Sequence, residues 1–414
     1  MKQIHRSLSS FYLILAVLVI VQGCAPFTKE PPVMEKSKAA ELHQRLLTLD
    51  SHMDTPLRLM GEGIDLGKRY DPREYRSKLD LDRMDEGGLD AVFFAIWTAQ
   101  GARTDSAHMA VKQKALDIMA FTREQVSKYP DRVGLAIQPE DAGQLASQGK
   151  HAIYFGMENG YPIGRDLKNV NLFYQEGIRY ITLCHTSNNE ICDSSMDDPE
   201  FGGLSPFGEQ VVRRMNELGI MVDISHVSDA AVQDVLNLST TPVIASHSCA
   251  QRLCSHVRNL NDSLITAIAE KGGVIQLALF SEYITDEQPN PQRDSARAAL
   301  KDKWGDLSGL GEAALSRYRQ ERRVLNETYP RYLPTVADAV DHIDHMVDLV
   351  GVDHVGIGSD FDGGGELADC YDVSEFPRIT EELLRRDYTA DDIQKIWGAN
   401  LLRVFELVTL AAKD

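Results

Sequence analysis

The chain is patterned as short, nearly continuous apolar runs separated by amphipathic stretches. Eight runs read as strands: "LLTLDSH" (46–52), "LDAVFFAIW" (89–97), "HAIYFGME" (151–158), "IRYITLCH" (178–185), "IMVDISH" (220–226), "PVIASHS" (242–248), "GVIQLAL" (273–279) and "HVGIGSDF" (354–361). Each is short, β-branched or aromatic, and apolar on successive positions, as strands buried on both faces are. Helical patterns lie between them. "SPFGEQVVRRMNELG" offers Ser205 as N-cap, Pro206 at the first helical position and Gly219 at the end. "SDAAVQDVLNL" predicts a helix after Ser228, and "TADDIQKIWGANLLRVFELV" opens with Thr389 and Asp392 in capping-box relation. Eight strands alternating with helices predict an α/β fold, a single (β/α)8 TIM-like barrel. An open doubly wound sheet shares that alternation, but the sequence carries no Gly-rich phosphate loop to go with it.

Residues 281–333 break the rhythm with a long charged insertion after the seventh strand. It is expected to hold one or two surface helices over the barrel mouth or at an interface, since loops of this length in compact domains usually carry function or contacts.

The polar residues that end these strands form a pattern of their own. His52 and Asp54 close the first run, Glu158 the third, His185 the fourth, His226 the fifth, His247 the sixth and Asp360 the eighth. Barrel active sites lie at the carboxyl ends of the strands, so these side chains are expected to converge. Residues two apart in a strand share a face, which lets His52 and Asp54 grip one ion from one edge. Imidazole and carboxylate are ordinary zinc ligands. This set exceeds the needs of one tetrahedral ion and suits two ions sharing a bridging carboxylate, with a bridging water deprotonated near neutral pH as the nucleophile. A single strand histidine more often packs or caps; it is the repetition at strand ends that argues for a metal site. His342 and His345 have ligand-like spacing but lie in the acidic helical stretch "AVDHIDHMVDLV", which reads as a solvated face. His43, His108, His151 and His354 have no cluster around them.

Charge and the N-terminus narrow the setting. With 43 Lys and Arg against 62 Asp and Glu, the formal charge is −19, which argues against nucleic acid or an anionic membrane surface as partner. "MKQIHRSLSSFYLILAVLVIVQGC" has a basic start, an apolar core and small Gly23 before Cys24. It reads as a secretory signal whose "VQGC" ending resembles a bacterial lipobox, although Gln22 is not the usual small residue. The expected organisation is a lipoprotein signal peptide at 1–23, a polar tether at 24–40 and a catalytic domain at 41–414. Lipidation of Cys24 would place the protein outside the cytoplasm, anchored in a bacterial cell envelope. The remaining Cys184, Cys192, Cys249, Cys254 and Cys370 contain no CxxC pair and are expected to be mostly free, buried thiols.

The motifs "DSHMDTP", "LDLDRMDEGGLDAVFFAIW", "GMENGYPIG", "YITLCHTSNNEICDSS", "DISHVS", "IASHSCAQ", "HVRNLND" and "VGIGSDFDG" occur in that order. By them the chain resembles the membrane dipeptidases, the renal-dipeptidase-like zinc peptidases, across essentially all of its mature region. The resemblance implies two zinc ions, one held by His52 and Asp54, the other by His226 and His247, with Glu158 bridging. It implies further that His185 binds the scissile carbonyl oxygen, Arg258 clamps the substrate's free carboxylate, and Asp360 moves the proton from the bridging water to the leaving amine. Asp362 is read as support for the site's backbone. Ser51 and Met53 depart from the Gly and Asn common in that family, and the long insertion leaves substrate preference open. The implied reaction is hydrolysis of dipeptides, including L,D-dipeptides, and the family suggests a homodimer. Two other functions are compatible with these motifs: a metal-dependent amidase acting on N-acyl amino acids or lactams, and a lipoprotein that binds peptides without cleaving them. The second predicts a missing ligand or acid/base residue, and none is missing.

Overall fold

The computed structural model describes residues 33–286, 288–305 and 311–412. Nine parallel strands form one sheet: β1 (Leu49–Met53), β2 (Ala91–Trp97), β3 (Val133–Leu135), β4 (His151–Glu158), β5 (Ile178–Thr182), β6 (Met221–Asp223), β7 (Ile244–Ser248), β8 (Val274–Leu277) and β9 (Val355–Ile357). The order is β1-β2-β4-β5-β6-β7-β8-β9, and β3 pairs with the first half of β4 (Val133 opposite His151). The eight expected runs thus supply the eight barrel strands. The ninth, β3, spans only three residues, too few for alternation to reveal it.

The barrel closes just beyond β9. Met53 bridges to Phe361, Asp360 N–H donates to His52 O at 3.0 Å, and Asp54 N–H donates to Phe361 O at 2.9 Å. The same hydrogen bonds that close the barrel therefore fix His52, Asp54 and Asp360 against one another. Inside, Leu49, Phe93, Tyr154, Tyr180, Met221, Ile244 and Val274 form one apolar cluster. Leu401, Val404, Phe405 and Val408 of the helix Asn400–Leu410 extend it. A larger cluster fills the space between the strands and the surrounding helices.

The caps expected from sequence are present. Ser205 accepts from Gly208 N–H ahead of the helix Pro206–Leu218, Ser228 accepts from Ala231 N–H ahead of Asp229–Leu238, and Thr389 with Asp392 makes the full capping box. The last helical run breaks at Gly398, where it passes the start of β1; a Cβ there would lie 3.0 Å from Leu47 O. Among its described residues the insertion contains three helices, Ser281–Ile284, Pro291–Trp304 and Glu312–Thr328, where one or two were expected. All five described cysteines are free and buried. The signal segment and Cys24 lie outside the described residues. Residues 33–40, expected as tether, belong to the helix Val33–His43, which packs against the helix Pro377–Arg385.

One histidine expectation needs correction. His342 is not on a solvated face: it is buried, with Nδ1 accepting from Ala250 N–H at 3.1 Å and Nε2–H donating to Ile284 O at 3.0 Å. It falls on the same inward stripe of the helix Val336–Val350 as Ala339, Ile343 and Met346, and there its polar edges find backbone partners. His345 sits further out and pairs with Asp262 at 2.8 Å.

His43 is a buried strut. Its Nε2–H donates to Gly87 O at 2.8 Å and its Nδ1 accepts from the Thr380 hydroxyl at 2.7 Å. Burial lowers its pKa from 6.5 to about 4, against the opposing pull of the Gly87 carbonyl. Between those values the unfolded chain binds a proton that the folded chain does not. The stabilisation is therefore complete above pH 6.5 and is lost as pH falls towards 4. At about 1.4 kcal/mol per pH unit the loss is about 3 kcal/mol. Urea unfolding at pH 7 and at pH 4 should show the wild type losing about 3 kcal/mol more than His43→Gln; parallel losses would place the acid sensitivity elsewhere.

Candidate metal centre

The carboxyl ends of the strands bring seven side chains to one place. Glu158, at the last position of β4, is the hub. Its Oε2 lies 3.4 Å from His52 Nε2 of β1. Its Oε1 lies 3.0 Å from His226 Nε2, 3.6 Å from His247 Nε2 of β7 and 3.6 Å from His185 Nε2. Asp54 Oδ2 is 3.7 Å from His52 Nε2, and Asp360 joins His52 and Asp54 in a third group with ligand atoms within 4.8 Å of one another. Every sequence-derived ligand is therefore in the cluster, and all are buried except His185, whose side chain is 22% exposed.

The backbone is bent to aim these groups. Among the described residues, six non-glycines have positive φ, and four belong to this site or flank it: Asn159 (74°), His226 (69°), Asp360 (57°) and Asp362 (69°). Such conformations are costly and persist where the surroundings hold them. His226 O accepts from Ser195 N–H at 2.8 Å, and Asp360 O accepts from Gly364 and Gly365 N–H at 3.0 and 2.7 Å. Asp362 points away from the cluster, accepting from Thr55 Oγ1–H and Lys78 N–H, and so braces the loop as expected. Gly363 keeps the space between Asp54 and Asp360 open, since a Cβ there would lie 2.2 Å from a carboxylate oxygen of each.

A second set of residues orients the imidazoles, and the sequence did not reveal it. His52 Nδ1 lies 2.8 Å from Tyr180 Oη, and His247 Nδ1 lies 2.9 Å from Ser246 Oγ. The Ser246 hydroxyl is itself committed to Asp223 Oδ2 at 2.6 Å. Nδ1–H of His247 is then the donor, leaving Nε2 as a lone pair aimed at the cluster; this is how ligating histidines are usually held. Asp50 lies beneath, accepting from His52 and Ser359 N–H, and burial pushes its carboxyl up to about 7.

The donor set fits cations. His226 Nε2 and His247 Nε2 face each other at 3.0 Å, and buried His52 Nε2 and Asp54 Oδ1 have no hydrogen-bond partner. Lone pairs so arranged repel unless a cation lies among them. Burial and the nearby Arg258 charge hold His226 well below the usual imidazole range. Burial and then His52 do the same to His247, and burial lowers His185. Glu158 goes the other way: burial would raise it, but the imidazoles, His52 first, hold it well below the carboxylate range. His226, His247 and His185 are thus held neutral and Glu158 ionised, the protonation states that metal ligands require. His52 differs: against its burial, Tyr180 and Glu158 raise it well above the usual imidazole range, so a cation bound there would have to displace its proton.

A cavity of about 410 Å³ opens onto the cluster, lined by Asp54, Leu57, Trp97, Glu158, His185, Thr186, Met196, His226, His247, His256, Phe280, Glu282, Tyr283, Asp360 and Gly363. Arg258 is buried beside it but does not line it. Its Nη2–H donates to His247 O at 3.0 Å, its guanidinium lies 5.2 Å from the centre of the Tyr283 ring, and its Nε–H has no partner. Glu282 and Tyr283 come from the start of the insertion and Phe280 immediately precedes it, so that segment shapes the cavity directly.

Residues 36–414 match the family model described as membrane dipeptidase, peptidase family M19. The chain is 31% identical over 381 residues to dipeptidase verJ of Clonostachys rogersoniana, covering 90% of this chain and 87% of that one. It is 29% identical over 347 residues to dipeptidase tcpJ of Claviceps purpurea (strain 20.1), covering 82% of this chain and 72% of that one. Among solved structures, the probable dipeptidase PvdM from Pseudomonas aeruginosa superposes with a TM-score of 0.79 at 33% identity, covering 92% of this chain and all (100%) of that one. A metallopeptidase from Rhodobacter sphaeroides, liganded with a phosphinate mimic of L-Ala-D-Ala, shares the fold with a TM-score of 0.70 at 22% identity, over 87% of this chain and 99% of that one.

Proposed function

The chain belongs to the membrane dipeptidase family of metallopeptidases, and from that premise we propose that it is a binuclear zinc dipeptidase acting on dipeptides with a free C-terminal carboxylate, L,D-dipeptides among them. The observation that carries this is the division of Glu158 between two imidazole sets, Oε2 towards His52 and Oε1 towards His226 and His247. A carboxylate so placed spans two cation positions. His52 and Asp54 would hold one ion, His226 and His247 the other, and Glu158 would serve both. When bound, the ions supply Lewis acidity and a water activated near neutral pH.

The remaining roles fall to this chain's own side chains. His185, on the exposed side of the cluster, donates from its imidazole to the carbonyl oxygen as negative charge develops there. Asp360 takes the water's proton and passes it to the departing nitrogen. Arg258, a buried cation with an unused Nε–H, holds the substrate carboxylate, a task that suits a planar, permanently charged fork. On the same reading Cys24 carries the lipid that anchors the enzyme in a bacterial cell envelope.

The test is amino-acid release from an L,D-dipeptide and from its C-terminal amide by zinc-loaded protein, with and without a chelator. Rapid, chelator-sensitive cleavage of the free acid alone is expected. Cleavage of neither, in protein holding two metals, would transfer the assignment to an amidase of N-acyl amino acids or lactams. His185→Ala should lower kcat by about 10²–10³ with KM little changed. Arg258→Ala should chiefly raise KM for the free acid; an unchanged KM would remove Arg258 from the substrate site.

A further inference from the structure

A second cavity, of about 470 Å³, lies between the barrel and the insertion, a volume typical of small-molecule sites. Six cationic side chains line it: Arg76, Arg293, Arg297, Lys301, Arg322 and Arg331. In a chain of formal charge −19, such a concentration is unusual. Glu366 is the one acid in the lining, and it is already shared, 3.0 Å from Arg331 and 3.6 Å from Lys78. Arg331 also reaches Glu282 at 3.1 Å, on the wall of the cavity over the histidine–carboxylate cluster, so the two cavities are neighbours. Glu62 lies 3.9 Å from Arg319, and its charge also acts on Arg76 and Arg322, which leaves Arg293, Arg297 and Lys301 as the less compensated wall.

Residues 293, 297 and 301 recur every fourth position on the helix Pro291–Trp304, which places them in one stripe along that wall. Arg293 is buried; its Nη atoms donate to Tyr329 O and Asn326 Oδ1, while its Nε–H has no partner among the described residues. It makes no ion pair among the described residues. Burial and then the charges of Arg331 and Arg297 push its pKa down, against the weaker opposing pull of Glu366 and Asp294. Arg297 and Lys301 are exposed and make no ion pair among the described residues.

We infer that this cavity binds a small molecule bearing two or more oxyanion groups. Guanidinium forks match oxyanions in pairs, and cations on separate walls favour a ligand charged at both ends over a single ion. The probe is propane-1,3-disulfonate, which keeps two negative charges at all working pH values and does not strip metals. Calorimetric titration of the full-length, zinc-loaded protein at fixed ionic strength should find one site per chain, with affinity at least about tenfold above that for ethanesulfonate. The double variant R297Q/K301Q changes only exposed helix positions, so folding and dipeptide turnover should be preserved while disulfonate affinity falls at least about tenfold. Equal binding of the two sulfonates, no binding, or a double variant that binds as tightly as wild type would overturn the assignment.

Discussion

Glu158→Gln should fold, retain fewer than two equivalents of zinc after dialysis, and hydrolyse dipeptides at least about 10³-fold more slowly than wild type. The substitution is isosteric and removes one charge. Glu158 is 3% exposed and faces four imidazole nitrogens between 3.0 and 3.6 Å away. Glutamine keeps an acceptor on one side but turns an NH2 donor to the other, where it meets the Nε2 lone pairs or the cation meant to lie among them. Positioned metal contributes several kcal/mol of charge stabilisation in the transition state, and about 1.4 kcal/mol is a factor of ten in rate. Metal analysis and kcat should therefore fall together. Two equivalents retained with undiminished kcat would show that Glu158 does not bridge. A loss confined to one equivalent would identify, through the matching single variants His52→Ala and His226→Ala, which position depends on the shared carboxylate more.

How much of this was legible beforehand follows from burial. Strands covered on both faces must be apolar at every position, so β2, β4 and β7 stand out against the polar helices, and their polar ends stand out in turn. That is why His52, Glu158, His185, His226, His247 and Asp360 could be read directly. β3 could not, being three residues long. Tyr180, Ser246 and Asp223 are polar within strands that look like core; only the distances to His52 and His247 distinguish them as supports. His342 was misjudged because acidic neighbours at positions facing outward conceal which stripe of its helix packs inward. The insertion presented only a run of mixed charge. Folding sorts that run, turning Arg293, Arg297 and Lys301 to one wall and placing Glu282 and Tyr283 at the catalytic cavity. A charge run carries no record of such sorting, because surface positions tolerate either sign.

Asp360→Asn should keep both metals and lose about 10²–10⁴ in kcat, the usual range for removing a general acid/base. Two roles compete for this residue. It stands with His52 and Asp54 as a possible ligand, yet it also lines the cavity, where a proton carrier must stand. Burial, and then the carboxylate of Asp54, push its carboxyl well above the usual range. A bound cation would draw it back down. Its strained backbone, φ 57° and pinned by His52 O and the two glycine N–H groups, fixes the carboxyl over the cluster at a cost that a merely solvated aspartate would not bear. Asparagine preserves shape and hydrogen bonding but cannot carry the proton. If Asp360 is the carrier, metal content stays at two, KM changes little, and the loss lies in kcat. If it is a ligand, metal content and activity fall together, as for Glu158→Gln. Full activity in the variant would exclude both roles and leave proton transfer to His185.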